Sequence, residues 1–185
     1  MRIALILGGA ASVWDDVAEA LNMMTPDGTI AVNDAIAHYA GRLDIAATLH
    51  PEKMAGWRSE RARRGFPAAR EHVGHELGQP GIDRATSYLW PDMNASGSSG
   101  LFAVKVAMEA GFDRIILAGI PMQAAGAHFF NSAPWGEVGA FTEAWKTALP
   151  RIAPHVRSMS GSTKEWLGYP SKEWLAGDPQ PSLAG

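Results

Sequence analysis

The chain of 185 residues contains no cysteine. That absence removes disulfides, thiolate zinc sites, iron–sulfur clusters and thiol nucleophiles together, and it is what a reducing, cytoplasmic setting leads one to expect. An excess of positive charge is also lacking. Sixteen Lys and Arg stand against 19 Asp and Glu, for a net charge of −3, so no broad basic face is available for a nucleic-acid backbone. No apolar run approaches the ~18 residues of a membrane-spanning helix. The first apolar run, Ile3 to Leu7, falls short of the roughly 7–15 residues of a secretion-signal core and reads as a buried strand. Three signatures are missing as well: the Gly-Lys-Ser/Thr ending of a Walker A loop, the GxGxxG fingerprint and the GxSxG nucleophile elbow. His50 and Glu52 form a single loose pair, and no metal site is expected.

What is present is alternation. "RIALILGG" (Arg2 to Gly9) is an apolar run closed by two glycines, the pattern of a strand covered on both faces in a parallel sheet. Ser12 then reads as a helix N-cap, with Asp15 and Asp16 in the first turn and Val13, Val17, Ala20 and Leu21 on one face. Further strands are expected at Thr29 to Asn33, Leu43 to His50, Ala85 to Trp90, Arg114 to Ile120 and His155 to Ser160. Helices are expected at Glu52 to Arg64, Ser98 to Ala110, Gly136 to Leu149 and Thr163 to Leu167, with a short one in "DAIAHYAGR". Gly65 to Gly81, rich in Gly, Pro and His, is the least ordered-looking stretch. The expected architecture is α/β: a single-domain, Rossmann-like three-layer sandwich with a mostly parallel sheet over residues 1–176, followed by a frayed tail over 177–185.

In such sheets, ligands bind beyond the carboxyl ends of the strands. That selects five loops: Gly8–Ser12, Asn33–Asp34, His50–Glu52, Pro91–Gly100 and Gly119–His128. Gly8, Gly9 and Ser12 form either a tight strand-to-helix turn or a backbone cradle for a phosphate. Asn33 can donate to and accept from a base or sugar edge, and Asp34 either caps the next helix or joins the chemistry. Ser96, Ser98, Ser99 and Gly100 strip side-chain bulk from a helix start where a plain N-cap needs one serine, which points to a phosphate or carboxylate. His128, followed by two phenylalanines, is the candidate general acid or base. The basic run Trp57 to Arg70 is either a solvated helix face or a phosphate-contacting patch. Trp135, Trp145, Trp166 and Trp174 read as core or lid packing.

Three stretches taken together carry a resemblance: "LILGGAASVWDD", "IAVNDAIAHYAGRLDIAATLHPEKM" and "SGSSGLFAVKVAMEAGFDRIILAGIPM". They resemble the Rossmann-like group that includes the 6-hydroxymethylpterin diphosphokinase-like family and the bacterial CMP-sialic-acid-dependent sialyltransferases. The resemblance implies a nucleotide-phosphate loop at Gly8, Gly9 and Ser12. It also implies a nucleotide contact at Asn33, a donor-phosphate loop at Ser98, Ser99 and Gly100, and a general base at His128. "GSTKEWLGYP" would add Ser162, Thr163 and Lys164 as a further anion contact. Where the group carries an Asp after "GI", this chain has Pro121.

The leading expectation is therefore a transferase that binds a nucleotide-activated donor, a nucleotide or nucleotide sugar of CMP type, as its small-molecule ligand. One rival is an ATP-dependent pyrophosphoryl transferase of the pterin type, which would need Mg²⁺ and would have Asp15, Asp16 and Asp34 to hold it. The other rival is a non-catalytic nucleotide-binding module. The oligomeric state is not legible in the sequence.

Overall fold

A computed structural model describes residues 1–94, 97–124, 126–134 and 136–177. Its centre is a seven-stranded sheet in which every pairing is parallel. The apolar runs build it: β1 (Ile3–Leu7), β2 (Gly28–Val32) and β3 (Ile45–Ala47), then β4 (Glu71–Gly74), β5 (Arg84–Ala85) and β6 (Arg114–Ala118). Two short strands, β7 (Ala127–His128) and β8 (Asn131–Pro134), pair separately as an antiparallel hairpin, and β9 (Val156–Ser158) returns to the main sheet. The strand order is β5-β4-β3-β2-β1-β6-β9.

Strand periodicity sorts the core into two layers. Ala4, Ile6, Ile30, Val32, Ile115 and Leu117 face one side, where they meet α4 (Ser98–Glu109) and α5 (Val138–Ile152). Leu5, Leu7, Ala31, Ile116 and Ala118 face the other. There they meet α1 (Val13–Met23), α2 (Asp34–His38) and α3 (Met54–Arg63). α6 (Gly161–Leu167) contributes Leu167 to the first layer, and α7 (Lys172–Ala176) contributes Trp174 and Leu175 to the second. The fold is thus the α/β, Rossmann-like three-layer sandwich that the alternation predicts. Among the described residues, no helix is long and apolar enough to cross a membrane.

Several local expectations need correction. The stretch from Gly65 to Gly81 holds β4, which pairs on both sides, with β3 and β5, next to the edge of the sheet. His72 is buried in that strand, and its Nδ1 lies 2.7 Å from Asp83 Oδ2. Only Arg84–Ala85 of the next region pairs as a strand. Strand β2 stops at Val32, and Asn33 leaves it at φ 52° and ψ −128°. Residues 178–185 of the expected tail lie outside the described residues, as do Ser96 and Trp135.

Candidate functional site

The chain runs outward from β1 through β2, β3, β4 and β5, then crosses back to place β6 on the other side of β1. The strand order reverses at β1/β6, and loops leaving those strands on either side open a crevice there. A cavity of about 300 Å³ occupies it, lined by residues from all five loops. They include Gly8, Gly9 and Ala10; Asn33 and Asp34; Leu49 and His50; Ser98, Ser99 and Gly100; and, beyond β6, Gly119, Ile120, Pro121, Gln123, Gly126, Ala127, His128 and Phe130. This volume sits at the lower end of the roughly 300–1,000 Å³ of small-molecule sites.

The first loop is more a weld than an open cradle. The Gly8, Ala10 and Ala11 amides donate to the Ala118, Gly119 and Ala127 carbonyls at 2.8–3.1 Å. A Cβ on Gly8 would stand 2.3 Å from the Gly119 carbonyl oxygen and 2.4 Å from Ile120 Cγ1. Gly8 is therefore glycine because β1 and the end of β6 touch there. Gly9 differs: a Cβ there would meet only the His128 ring, with Nδ1 at 3.2 Å.

Ser12, expected in the phosphate loop, is absent from the cavity lining. Its hydroxyl donates to Asp16 Oδ2 at 3.2 Å and makes no capping bond to the helix backbone. Asp16 is 6% exposed, and the same oxygen accepts from the Gly119 amide at 2.8 Å and the Ser160 hydroxyl at 2.6 Å. One carboxylate thus ties together the start of α1, the turn after β6 and the loop after β9. Sequence reading placed Asp16 only in a helix first turn or, in the rival reading, on Mg²⁺. Apart from Ser12, its partners lie 103 and 144 positions away, so nothing local could disclose them.

Asn33 and Asp34 both face the cavity. The Asn33 backbone lies in a region that favours glycine, a strain of order 1–3 kcal/mol that surrounding bonds must hold. The Thr48 hydroxyl donates to Asn33 Oδ1 at 2.8 Å and accepts from the His50 amide at 2.9 Å. Asp34 opens α2, and its Oδ1 accepts from Trp57 Nε1 at 3.2 Å. The carboxylate is thereby oriented with acceptor capacity to spare. His50 lies at the rim beside Glu52, with 3.6 Å between Nδ1 and Oε1.

Ser98, Ser99 and Gly100 form the first turn of α4. The opening amides of a helix have no intrahelical acceptor and gather partial positive charge. The two hydroxyl oxygens accept bonds from the protein: Ser98 Oγ from Trp145 Nε1 and Ser99 Oγ from the Leu49 amide, each at 3.3 Å. A Cβ on Gly100 would press on Ile120 Cγ2 at 2.9 Å. Ser98 carries φ 88°. The small residues thus serve close packing between α4, β6 and α5 and also bring the helix start to the cavity wall.

His128 stands on β7, bridged antiparallel to Ala10. Its Nδ1 lies 3.3 Å from the Gly9 carbonyl. Its ring stacks on Phe130 with centroids 5.0 Å apart and planes 19° from parallel. The hairpin, invisible to sequence patterning, is what turns His128 inward.

The other proposed contacts lie elsewhere. Thr163 is buried and donates to the Ile120 carbonyl at 2.6 Å, and Lys164 lies over the Tyr169 ring at 4.5 Å. Neither they nor Ser162 line the cavity. The basic run Trp57 to Arg70 is split. Arg61 is 2% exposed and donates to the carbonyls of Ile36, Tyr39, Gly41 and Pro67. The remainder includes Arg63 and Arg64, which pair with Glu60 and hold its carboxyl down at about 2, the Arg63 hydrogen bond being the largest cause. Among the described residues, the ionisable side chains facing the cavity are one carboxylate, Asp34, and two imidazoles, His50 and His128. Residues 95, 96, 125, 135 and 178–185 include no lysine or arginine in the sequence. Among the described residues, no cluster of three or more His, Asp and Glu is arranged to hold a metal ion.

Comparison of the chain with protein-family models, curated proteins and solved structures found no match.

Proposed function

We propose that this protein is a transferase that binds a nucleotide-activated donor, such as a nucleotide sugar, in the cavity at the β1/β6 reversal. The observation that carries the reading is the meeting of Asn33, Asp34, Ser98, Ser99, Gly100 and His128, from three separate loops, around one crevice. Asn33 and Asp34 would read base or ribose hydroxyls. The start of α4 would face the donor phosphate with its backbone amides. His128 would act as general base: with Nδ1–H donated to the Gly9 carbonyl, Nε2 is the basic nitrogen and takes the proton of an acceptor hydroxyl. The acceptor oxygen then bonds to the donor's activated carbon. The bond from that carbon to the phosphate oxygen breaks, and the nucleotide leaves with the electron pair. Amides aimed at that oxygen would stabilise the charge it gathers.

The charge of the lining favours this reading over an ATP-dependent pyrophosphoryl transfer. A triphosphate brings several negative charges to a wall whose one permanent charge, among the described residues, is a carboxylate, whereas an activated donor can bring as few as one. The Gly8–Ser12 loop supports the reading through position rather than through amides, since three of its N–H groups are already bonded within the protein.

The test is calorimetric titration and thermal shift against nucleoside mono-, di- and triphosphates and nucleotide sugars, with and without Mg²⁺. Saturable binding of a nucleotide sugar without Mg²⁺, with transfer to an acceptor lost in His128→Ala, is the expected outcome. Failure of every member of the panel to bind at millimolar concentration overturns it. Retained affinity with no turnover by the wild type would instead identify a binding module.

A further inference from the structure

Among the described residues, Phe130 is the one large apolar side chain of the cavity wall that is left substantially open, at 49% exposure. An isolated exposed phenylalanine needs no explanation. This one is held in place by everything around it. The Phe129 amide donates to the Gly9 carbonyl at 3.0 Å, and the Ala11 amide donates to the Ala127 carbonyl at 2.8 Å, so the strand entering the turn is fastened to the first loop on both sides of His128. The Phe129 ring packs edge-on against Trp14 at 5.3 Å, His38 at 5.1 Å and Phe130 at 5.1 Å. His128 lies nearly parallel to Phe130. The chain thus anchors one phenylalanine among aromatic rings and presents the next, already stacked, at the edge of the cavity that contains the candidate base.

We infer that Phe130 is a stacking platform for a planar ring of the ligand. This rests on the nucleotide reading and deepens it: the ring is the nucleobase, and Phe130 is a positioning and specificity residue for it. An aromatic face accepts any flat heterocycle, so Phe130 selects for the presence of a base, while polar groups such as Asn33 discriminate among bases. Because His128 stacks on the same ring, seating the base on Phe130 also fixes where the rest of the donor lies relative to the imidazole.

The experiment measures dissociation constants of CMP, UMP, AMP, GMP and ribose 5-phosphate for wild type, Phe130→Ala, Phe130→Leu and Phe130→Trp, with melting curves as a folding control. The account expects wild type to bind at least one of the four nucleotides. Phe130→Ala and Phe130→Leu should weaken that nucleotide about 10- to 100-fold, while ribose 5-phosphate changes less than about twofold. Phe130→Trp should retain affinity and show quenching on nucleotide addition beyond that of wild type. Nucleotide binding by wild type that is unchanged in Phe130→Ala overturns the platform and leaves the nucleotide reading standing. So does full retention in Phe130→Leu, which keeps apolar bulk without the flat face. Failure of wild type to bind any of the four overturns both.

Discussion

Gly8 and Gly9 are neighbours of the same type at the same turn, yet the fold uses them differently. Around Gly8 the space of a side chain is filled by Gly119 and Ile120, and around Gly9 it opens toward the His128 ring. The first glycine lets two strands close on each other; the second lets a candidate catalytic ring approach the backbone. The same division separates Asp16 from Asp34. Asp16 is consumed by Gly119, Ser160 and Ser12, whereas Asp34 is oriented by one bond and faces the cavity. A residue at a strand end can thus serve the frame or the ligand, and its neighbours, not its type, decide which.

Substitutions can break this division. Gly8→Ala drives a methyl into a backbone oxygen that cannot yield easily. It is expected to cost about 3 kcal/mol or more, read as a large fall in urea midpoint. Asp16→Ala leaves the buried Gly119 amide and Ser160 hydroxyl without their acceptor and is expected to cost about 2–4 kcal/mol by the same measurement. Gly9→Ala should cost less than about 1 kcal/mol, because a side chain rather than backbone must move, yet it should lower transfer activity at least tenfold by displacing His128. Comparable stability losses for Gly8→Ala and Gly9→Ala would erase the contrast.

Asn33→Gly sharpens it from the ligand side. Glycine relieves the backbone strain but removes the amide bonded to Thr48, so stability should stay within about 1 kcal/mol of wild type. Nucleotide affinity should nevertheless fall about tenfold in a calorimetric titration. The smallest effect belongs to the frame. Burial, with a hydrogen bond to Glu19, raises the Tyr169 hydroxyl to about 12. The folded pKa lies above the unfolded value near 10, so this contribution is present below about pH 10 and is lost as pH rises through 12. Melting curves of Tyr169→Phe should show a shallower alkaline decline over that window.

The frame was largely legible because its signals are local. Apolar runs such as Ile3–Leu7 and Arg114–Ala118, closed by glycine, announce buried parallel strands, and their order fixes which loops meet. Strand β4 was hidden because "EHVG" is too short to show a period and lies among Gly and Pro. Arg61 read as part of a solvated or phosphate-contacting run because three of the four carbonyls that receive it, those of Ile36, Tyr39 and Gly41, lie 20 to 25 positions earlier. At the site, the five loops could be named from topology, but the sorting within them could not. Ser12 looks like a phosphate ligand until Asp16 and Ser160 are seen beside it. Phe130 looks like any apolar residue until the hairpin carries it to the cavity.

The central claim, that one crevice at the β1/β6 reversal receives a nucleotide, is most directly tested by amide NMR of the labelled protein during titration with the nucleoside monophosphate that binds most tightly. The account predicts saturable shifts concentrated at Gly9, Asn33, Ser98, Ser99, His128 and Phe130, with Arg61 and Thr163 unmoved. Shifts that saturate elsewhere, or none up to millimolar ligand, would contradict it.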